Sequence, residues 1–236
     1  MNDTAHSLLR TCLNGGREEE TIQAMQIALH VPKQSPPRRS HLMEAAARAV
    51  VAVCLAPEAT TDPAWRAGLE GWYSQRIRKV ARRARNTAWD NVQQIPGVTV
   101  TVSGAQARAF VPGPVAEVPA AIRKLQIQGT DLPPDEPGPR DPTRPLLLLD
   151  ADLDMSIGKS AAQAGHAAML WAAHLSAPQA RAWAETGFAL DVREVSHAEF
   201  AAHLTRPAAV TVQDAGFTEV APGALTALAL PAAGGR

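Results

Sequence analysis

The chain has 236 residues, with 23 basic and 23 acidic side chains, a formal net charge of zero and an isoelectric point near 7.1. That length suits one large domain or two small ones with a substantial core. Because the net charge is zero, it does not indicate a polyanionic partner. The two cysteines, Cys12 and Cys54, lack the spacing of metal ligands, which favours reduced thiols. The chain shows neither a signal-peptide pattern nor an apolar run of about 18 residues, so we expect a cytoplasmic protein without a membrane segment.

Residues 1–131 are predicted to form a mainly helical domain that carries a β-hairpin. Apolar residues recur at helical spacing in two segments, and an aspartate followed by proline marks the start of a third helix. The predicted hairpin has β-branched or alternating arms on either side of a Ser-Gly turn. The predicted elements are helices over Thr21–Val31, Ser40–Leu55 and Asp62 to about Gln94, and a hairpin over Gly97–Pro112.

The third predicted helix carries a dense group of basic residues. Arg78, Arg82 and Arg85 are spaced at i, i+4 and i+7, and Lys79 and Arg83 lie beside them, so a helix would present one cationic face. Such a face suits a nucleic-acid backbone, and Arg78, Arg82 and Arg83 are predicted to bind substrate phosphates. The alternative is a solvated face that pairs with acidic residues of the same domain.

Residues 132–145 contain six prolines in fourteen positions, LPPDEPGPRDPTRP. This composition predicts a semi-rigid linker and places a domain boundary there. A second domain is then expected over residues 146–236.

The second domain opens with an apolar run, Leu146–Leu149, that predicts a strand buried on both faces. A helix beginning near Gly158 would place Lys159, Gln163 and His166 along one stripe, at i, i+4 and i+7. The GKS sequence at Gly158 also invites a nucleotide-binding P-loop interpretation. Leu153 disfavours it, because the P-loop pattern requires glycine at that position.

The rest of this domain contains two capping-box patterns, which start at Ser176 and Ser196, and three further apolar strand patterns. The predicted order is β-α-α-β-α-β-β. This order predicts an α/β fold, a three-layer α/β/α sandwich around a mixed four-stranded sheet.

Two motifs of the second domain resemble signatures of a known family. Residues 152–168 read DLDMSIGKSAAQAGHAA, and residues 214–223 read DAGFTEVAPG. Together, and in this order, they are similar to the two signatures of the type II peptidyl-tRNA hydrolases, here in a long bacterial form with an N-terminal extension.

The resemblance implies metal-independent hydrolysis of the ester bond between tRNA and a peptide or an N-blocked aminoacyl group. By carry-over from the matching motifs, Lys159, Asp214, Gln163 and Thr218 are predicted catalytic residues, and His166 is a predicted substrate-binding residue. We interpret Asp214 as the group that orients or deprotonates water and Lys159 as the cation that holds it as a carboxylate and stabilises developing negative charge. No metal ion or cofactor is expected. The expected partner is peptidyl-tRNA or an acylated aminoacyl-tRNA, and a homodimer of the kind common in the family stays open.

Three positions depart from the family's pattern. Asp150, Phe217 and Glu219 each lower the positive charge expected around a site that meets tRNA. The basic segment around Arg78 is our candidate for replacing that charge. The alternative function is a non-catalytic adaptor that binds tRNA or another RNA and retains the hydrolase fold.

Overall fold

The computed structural model describes residues 3–16, 21–127, 129, 131–216 and 219–233. Within them the chain forms two mixed β-sheets with packed helices, so the predicted mixed α/β class is confirmed. We call the residues up to 127 the N-terminal half and those from 146 onward the C-terminal half.

The N-terminal half is built around one mixed sheet. Its strands are β1 (Gln23–His30), β2 (Lys79–Ala84), β3 (Gly97–Val102), β4 (Ala105–Phe110) and the short β5 (Gly113–Pro114). Its helices are α1 (Asp3–Arg10), α2 (Arg39–Cys54), α3 (Glu58–Thr61), α4 (Pro63–Tyr73), α5 (Thr87–Val92) and α6 (Ala120–Arg123). The strand order is β2-β1-β4-β3, with β1 parallel to β2 and antiparallel to β4, and with β5 paired to the start of β1. Strands β3 and β4 pair antiparallel on either side of Ser103 and Gly104.

The prediction of a mainly helical N-terminal domain is wrong. The segment Thr21–Val31, predicted as a helix, contains the central strand β1, and all six inner residues of β1 are buried. A strand that is buried on both faces has no polar–apolar alternation, so its sequence resembles that of a buried helix.

The predicted long basic helix is also wrong. Helix α4 begins after the Asp62 N-cap as predicted but ends at Tyr73. The arginine-rich segment contains the outer strand β2, and α5 follows it. Because side chains alternate between the faces of a strand, Arg82 and Arg83 leave β2 on opposite sides and cannot share one helical face with Arg78.

The C-terminal half follows the predicted order of elements. Its strands are β6 (Leu146–Asp150), β7 (Asp191–Val195), β8 (Val210–Gln213) and β9 (Leu225–Leu230). Its helices are α7 (Ile157–His174), α8 (Ala177–Glu185) and α9 (His197–Leu204). The sheet order is β7-β6-β9-β8, with β6 parallel to β7 and antiparallel to β9.

Small residues let α7 lie close to its neighbours. The helix packs on β6, β8 and β9 and on α2 of the N-terminal half. A Cβ built on Gly165 would lie 2.8 Å from Cγ2 of Val50, so a larger residue there would force the two helices apart. The other face of the sheet is covered by α9, whose Phe200 is buried against Leu148 and Leu228.

The two halves share one hydrophobic core and are joined by an arginine. The largest buried cluster contains residues of α2 and of α7. Arg39, at the start of α2, is only 6% exposed and bonds both carboxylate oxygens of Glu194 on β7, at 2.7 and 2.8 Å. The proline-rich segment between the halves has no regular structure, and its Asp135 accepts a 2.7 Å hydrogen bond from the amide of Ser40.

In the described part of the chain, no helix combines the length and apolar character that a membrane crossing requires.

Candidate active site

The start of α7 is fixed by a hydroxyl and a carboxylate. Ser156 is the N-cap, and its Oγ accepts a hydrogen bond from the amide of Lys159 at 3.2 Å. The Glu219 carboxylate in turn accepts hydrogen bonds from the amide and the hydroxyl of Ser156, at 2.9 and 2.8 Å. Glu219 therefore places negative charge at the positive end of the helix dipole, which is a favourable position for it.

Two side chains of α7 converge on Asp214, which directly follows β8. The Nζ of Lys159 lies 2.5 Å from Oδ2 of Asp214, and the Nε2 of Gln163 lies 2.6 Å from the same oxygen. Lys159 and Asp214 are 10% and 9% exposed. One turn of helix separates the two donors, so both reach the same carboxylate, which is held at the edge of the sheet.

The loop after β8 holds Asp214 through its backbone. The amide of Asp214 donates to the carbonyl of Ala224, and the amide of Gly223 donates to the carbonyl of Asp214, both at 2.8 Å. The second carboxylate oxygen, Oδ1, accepts from the amide of Gly216 at 2.8 Å. Gly216 has φ +77°, and a Cβ there would lie 2.4 Å from the Pro222 ring, so the turn requires glycine.

Gln163 leaves an acceptor unused within the described residues. Its Oε1 is buried and has no hydrogen-bond partner in that part of the chain. The amide orientation follows from chemistry, because the carboxylate of Asp214 only accepts hydrogen bonds and so must face the NH₂ group. Because an unsatisfied buried acceptor is costly, Oε1 is a candidate to accept a hydrogen bond from a water molecule or a substrate N–H that enters beside Asp214.

These groups lie in a cleft of about 1150 Å³ between the two halves. The C-terminal half contributes Lys159, Gln163 and Asp214 to its lining, and the N-terminal half contributes β2 and the residues just before it. A Cβ on Gly158 would lie 3.8 Å from the Cβ of Ala81, which shows how closely β2 approaches the start of α7. The cleft is therefore composite and extends beyond the motif-bearing half.

The structure places the other predicted catalytic and substrate-binding residues as follows. His166 lines the cleft further along α7. Burial, together with the charges of Lys79 and Lys159, lowers the pKa of His166 well below its ordinary value, so its ring is neutral. Thr218 and Phe217 lie outside the described residues.

The three predicted phosphate-binding arginines do not form one surface. Arg78 lines the cleft, whereas Arg82 and Arg83 do not. The Nε of Arg82 donates to Oε1 of Gln26 at 2.9 Å, and Arg83 donates to the side chain of Gln126. Both of these arginines therefore make hydrogen bonds within the N-terminal half.

Asp150 has a structural role away from the cleft. It is 3% exposed, accepts a hydrogen bond from the amide of Asp152 at 3.1 Å, and lies 2.6 Å from Nδ1 of His197. The Asp150 hydrogen bond and charge raise the pKa of His197. Its negative charge is thus paired locally and does not face the cleft.

No separate role in the site was predicted for Lys79 from the sequence. Lys79 is among the residues that line the cleft, but its Nζ is buried, lies 4.9 Å from the centroid of the Trp72 ring and has no hydrogen-bond partner among the described residues. Burial lowers the pKa of Lys79 to about 7. The inward orientation of the Lys79 side chain could have been predicted only if the segment KVARRA had been assigned to a strand.

Lys79 should make stability depend on pH. Below pH 7 the amine is charged in both the folded and unfolded states, and folding then includes the cost of burying the charge. Between pH 7 and about 9 the folded state releases this proton while the unfolded state keeps it, so the free energy of unfolding should rise by roughly 1–3 kcal/mol. At higher pH the buried Cys12 and Cys54 oppose the rise, because burial raises the pKa of these thiols to about 12 and about 11.

The measurement is urea unfolding at pH 6 and pH 9. Lys79→Met should be more stable than the wild-type chain at pH 6 and should lose most of the rise. Lys33→Met, at an exposed position, is the matched control and should keep it. An unchanged pH dependence in Lys79→Met would contradict this account.

Among the described residues, no three His, Cys, Asp or Glu side chains come together as a metal site would require. The segment before α7 is a short 3₁₀ helix, Ala151–Leu153, rather than a glycine-rich cradle, and Lys159 is paired with Asp214. The GKS motif therefore does not form a nucleotide-binding P-loop.

Fold and site together define a mixed α/β domain that holds a lysine–aspartate–glutamine cluster at the end of a strand. Residues 144–234, less than half of the chain, match the family model described as Peptidyl-tRNA hydrolase PTH2. The C-terminal part of the chain therefore matches the model of this family and follows an N-terminal extension, which confirms the resemblance seen in the motifs. No curated protein and no solved structure matches the chain significantly.

Proposed function

We propose that the chain hydrolyses the ester bond between tRNA and a peptide, or an N-blocked aminoacyl group, without a metal ion. The observation that carries the proposal is the convergence of Lys159 and Gln163 on Asp214 at an open cleft, within the segment that matches the hydrolase family. The proposal assigns this chemistry to a three-layer α/β/α domain. Ribosomes make such substrates, so the activity would belong to translation in the cytoplasm.

In this mechanism Asp214 acts as the general base. Its carboxylate accepts a proton from a water molecule while the water oxygen bonds to the ester carbonyl carbon. The unused Oε1 of Gln163 accepts the second hydrogen of that water and fixes its direction of attack. Thr218, as the fourth predicted member of the site, is assigned to hydrogen bonding with water or substrate.

Lys159 stabilises the charge that develops next. The tetrahedral intermediate carries a negative oxygen, which the ammonium group and the positive end of α7 attract. Collapse of the intermediate breaks the bond between the acyl carbon and the ribose oxygen. The ribose oxygen then takes the proton from Asp214, which leaves a free carboxylic acid and tRNA.

The nucleic-acid end of the substrate needs cationic contacts. Arg78 lines the same cleft as the catalytic cluster and is the proposed phosphate contact there. Arg82 and Arg83 remain predicted contacts for more distant phosphates, and His166 remains a predicted substrate contact within the cleft.

The test is release of a labelled N-acetyl-aminoacyl group from tRNA by the purified full-length chain. We expect many turnovers per molecule in a buffer that contains a metal chelator, well above spontaneous hydrolysis. Binding of the charged tRNA without release, even with protein in excess over substrate, would contradict the proposal and favour the adaptor.

A further inference from the structure

The two halves of the chain have the same topology. Each has the main element order β-α-α-β-α-β-β if the short α3 is grouped with α4. In each, the first strand is parallel to the second and antiparallel to the fourth, which also pairs with the third, so the sheet orders β2-β1-β4-β3 and β7-β6-β9-β8 are equivalent. The helix between the second and third strands covers the outer face in both cases, as Trp89 of α5 and Phe200 of α9 show.

The halves also contact each other reciprocally. Their first long helices, α2 and α7, pack together between the two sheets. In addition, α2 contacts β7 of the C-terminal half, and α7 contacts β2 of the N-terminal half. Contacts in which each partner uses the same element against the other are the mark of a two-fold arrangement.

The N-terminal half has a cleft at the equivalent place, but its chemistry differs. Lys159 is the third residue of α7, and Asp214 is the first residue after β8. The corresponding positions are His41, third in α2, and Ser103, first after β3, and both line a smaller cleft of about 390 Å³. This copy therefore has neither the ammonium nor the carboxylate.

The main cleft has an apolar wall that comes from the N-terminal half. Ile22 and Ile127 both line it, although they are 42% and 53% exposed, and Ile77 lies on the same side. Leu170 of α7 lines the cleft beyond His166. This apolar region is continuous with the Lys159–Asp214 pair along α7, so a group attached to an ester carbonyl at that pair can extend into it.

We infer that the N-terminal half is a second copy of the C-terminal fold that lacks the catalytic pair and supplies the apolar wall of an acyl-binding subsite. The occupant is the side chain of the residue that is esterified to tRNA, and the favoured substrates carry a large apolar side chain there. This inference rests on the proposed function. The driving force is removal of the apolar side chain and of the exposed isoleucines from water.

The test compares N-acetylphenylalanyl-tRNA with N-acetylglycyl-tRNA. For the wild-type chain we expect kcat/KM to be at least about tenfold higher for the phenylalanyl ester. In the variant Ile22→Asp/Ile127→Asp this preference should fall to about twofold or less, because the phenylalanyl ester loses apolar contacts that the glycyl ester does not make, whereas any repulsion of tRNA by the new carboxylates slows both esters alike. Both positions are partly exposed, so the variant should fold, and its melting temperature checks this.

Val115→Asp is the matched control, because Val115 is 43% exposed and does not line the cleft. It should keep the wild-type preference. Equal wild-type rates on the two esters, or an unchanged ratio of the two rates in the folded double variant, would overturn the inference while leaving the proposed function intact. Absence of release from both esters would overturn the proposed function, and this inference with it.

Discussion

Asp214→Asn is expected to lower kcat/KM for a blocked aminoacyl-tRNA by about three orders of magnitude, within the range that general-base catalysis contributes. The asparagine keeps the size of the side chain but cannot accept a proton from water. It also cannot satisfy its neighbours equally, because Lys159 and Gln163 both donate to Oδ2, and a neutral amide is a weaker acceptor for an ammonium group. The measurement is the initial rate of acyl release, with a melting curve to verify folding.

Lys159→Ala should cause a loss of similar size, since it removes the cation nearest to the developing oxyanion. The double variant should be little slower than the slower single variant, because the two groups act on the same charge. Asp90→Asn, at an exposed position on α5 away from the cleft, is the matched control and should retain wild-type activity. If Asp214→Asn kept more than about a tenth of the activity, Asp214 would not be the base.

Arg39→Ala is expected to lower the free energy of unfolding by about 3–5 kcal/mol, the usual effect of removing one partner from a buried ion pair. Besides its two bonds to Glu194, Arg39 donates to the carbonyl of Met155 at 2.7 Å and to Oγ of Ser160 at 3.0 Å. Truncation would leave these acceptors and a partly buried carboxylate without their donor. Urea unfolding followed by tryptophan fluorescence measures the loss.

The comparison for Arg39 is an ion pair at the surface with the same shortest N–O distance. Arg66 lies 2.7 Å from Glu70, but both side chains are about half exposed. Arg66→Ala should therefore cost less than about 1 kcal/mol. Similar losses in the two variants would show that burial adds nothing to the Arg39 network. Recovery of stability in Arg39→Met/Glu194→Met would show that the charge left unpaired, rather than a lost contact, causes the loss.

The C-terminal half could be predicted from local signals. Ser196 caps the helix that follows it through its hydroxyl group, Ser176 and Gln179 form a capping box, and β9 covers the predicted residues Leu225–Leu230. The cluster around Asp214 was predicted only through the motifs. No periodicity indicates that a residue 55 positions after Lys159 will contact it.

The N-terminal half could not be predicted because its decisive contacts are distant in sequence. β1 is buried on both faces, and β2 is rich in alanine and arginine, which favour helices in isolation. Tertiary pairing with β1 overrides that propensity in β2. The composite cleft, and with it the orientation of Lys79, follows from this pairing and from the packing of β2 against α7, so neither was accessible from the sequence.

Because the two halves are parts of one polypeptide, the two sides of the cleft are always present in a one-to-one ratio. In an assembly of separate chains, a wall that comes from a neighbour is lost when dilution separates the subunits. Here the apolar wall with Ile22, Ile77 and Ile127 belongs to the same polypeptide as Asp214, so its local concentration does not depend on how many copies of the protein a cell contains. The half that carries Asp214 thus always has this wall beside it, even when the protein is scarce.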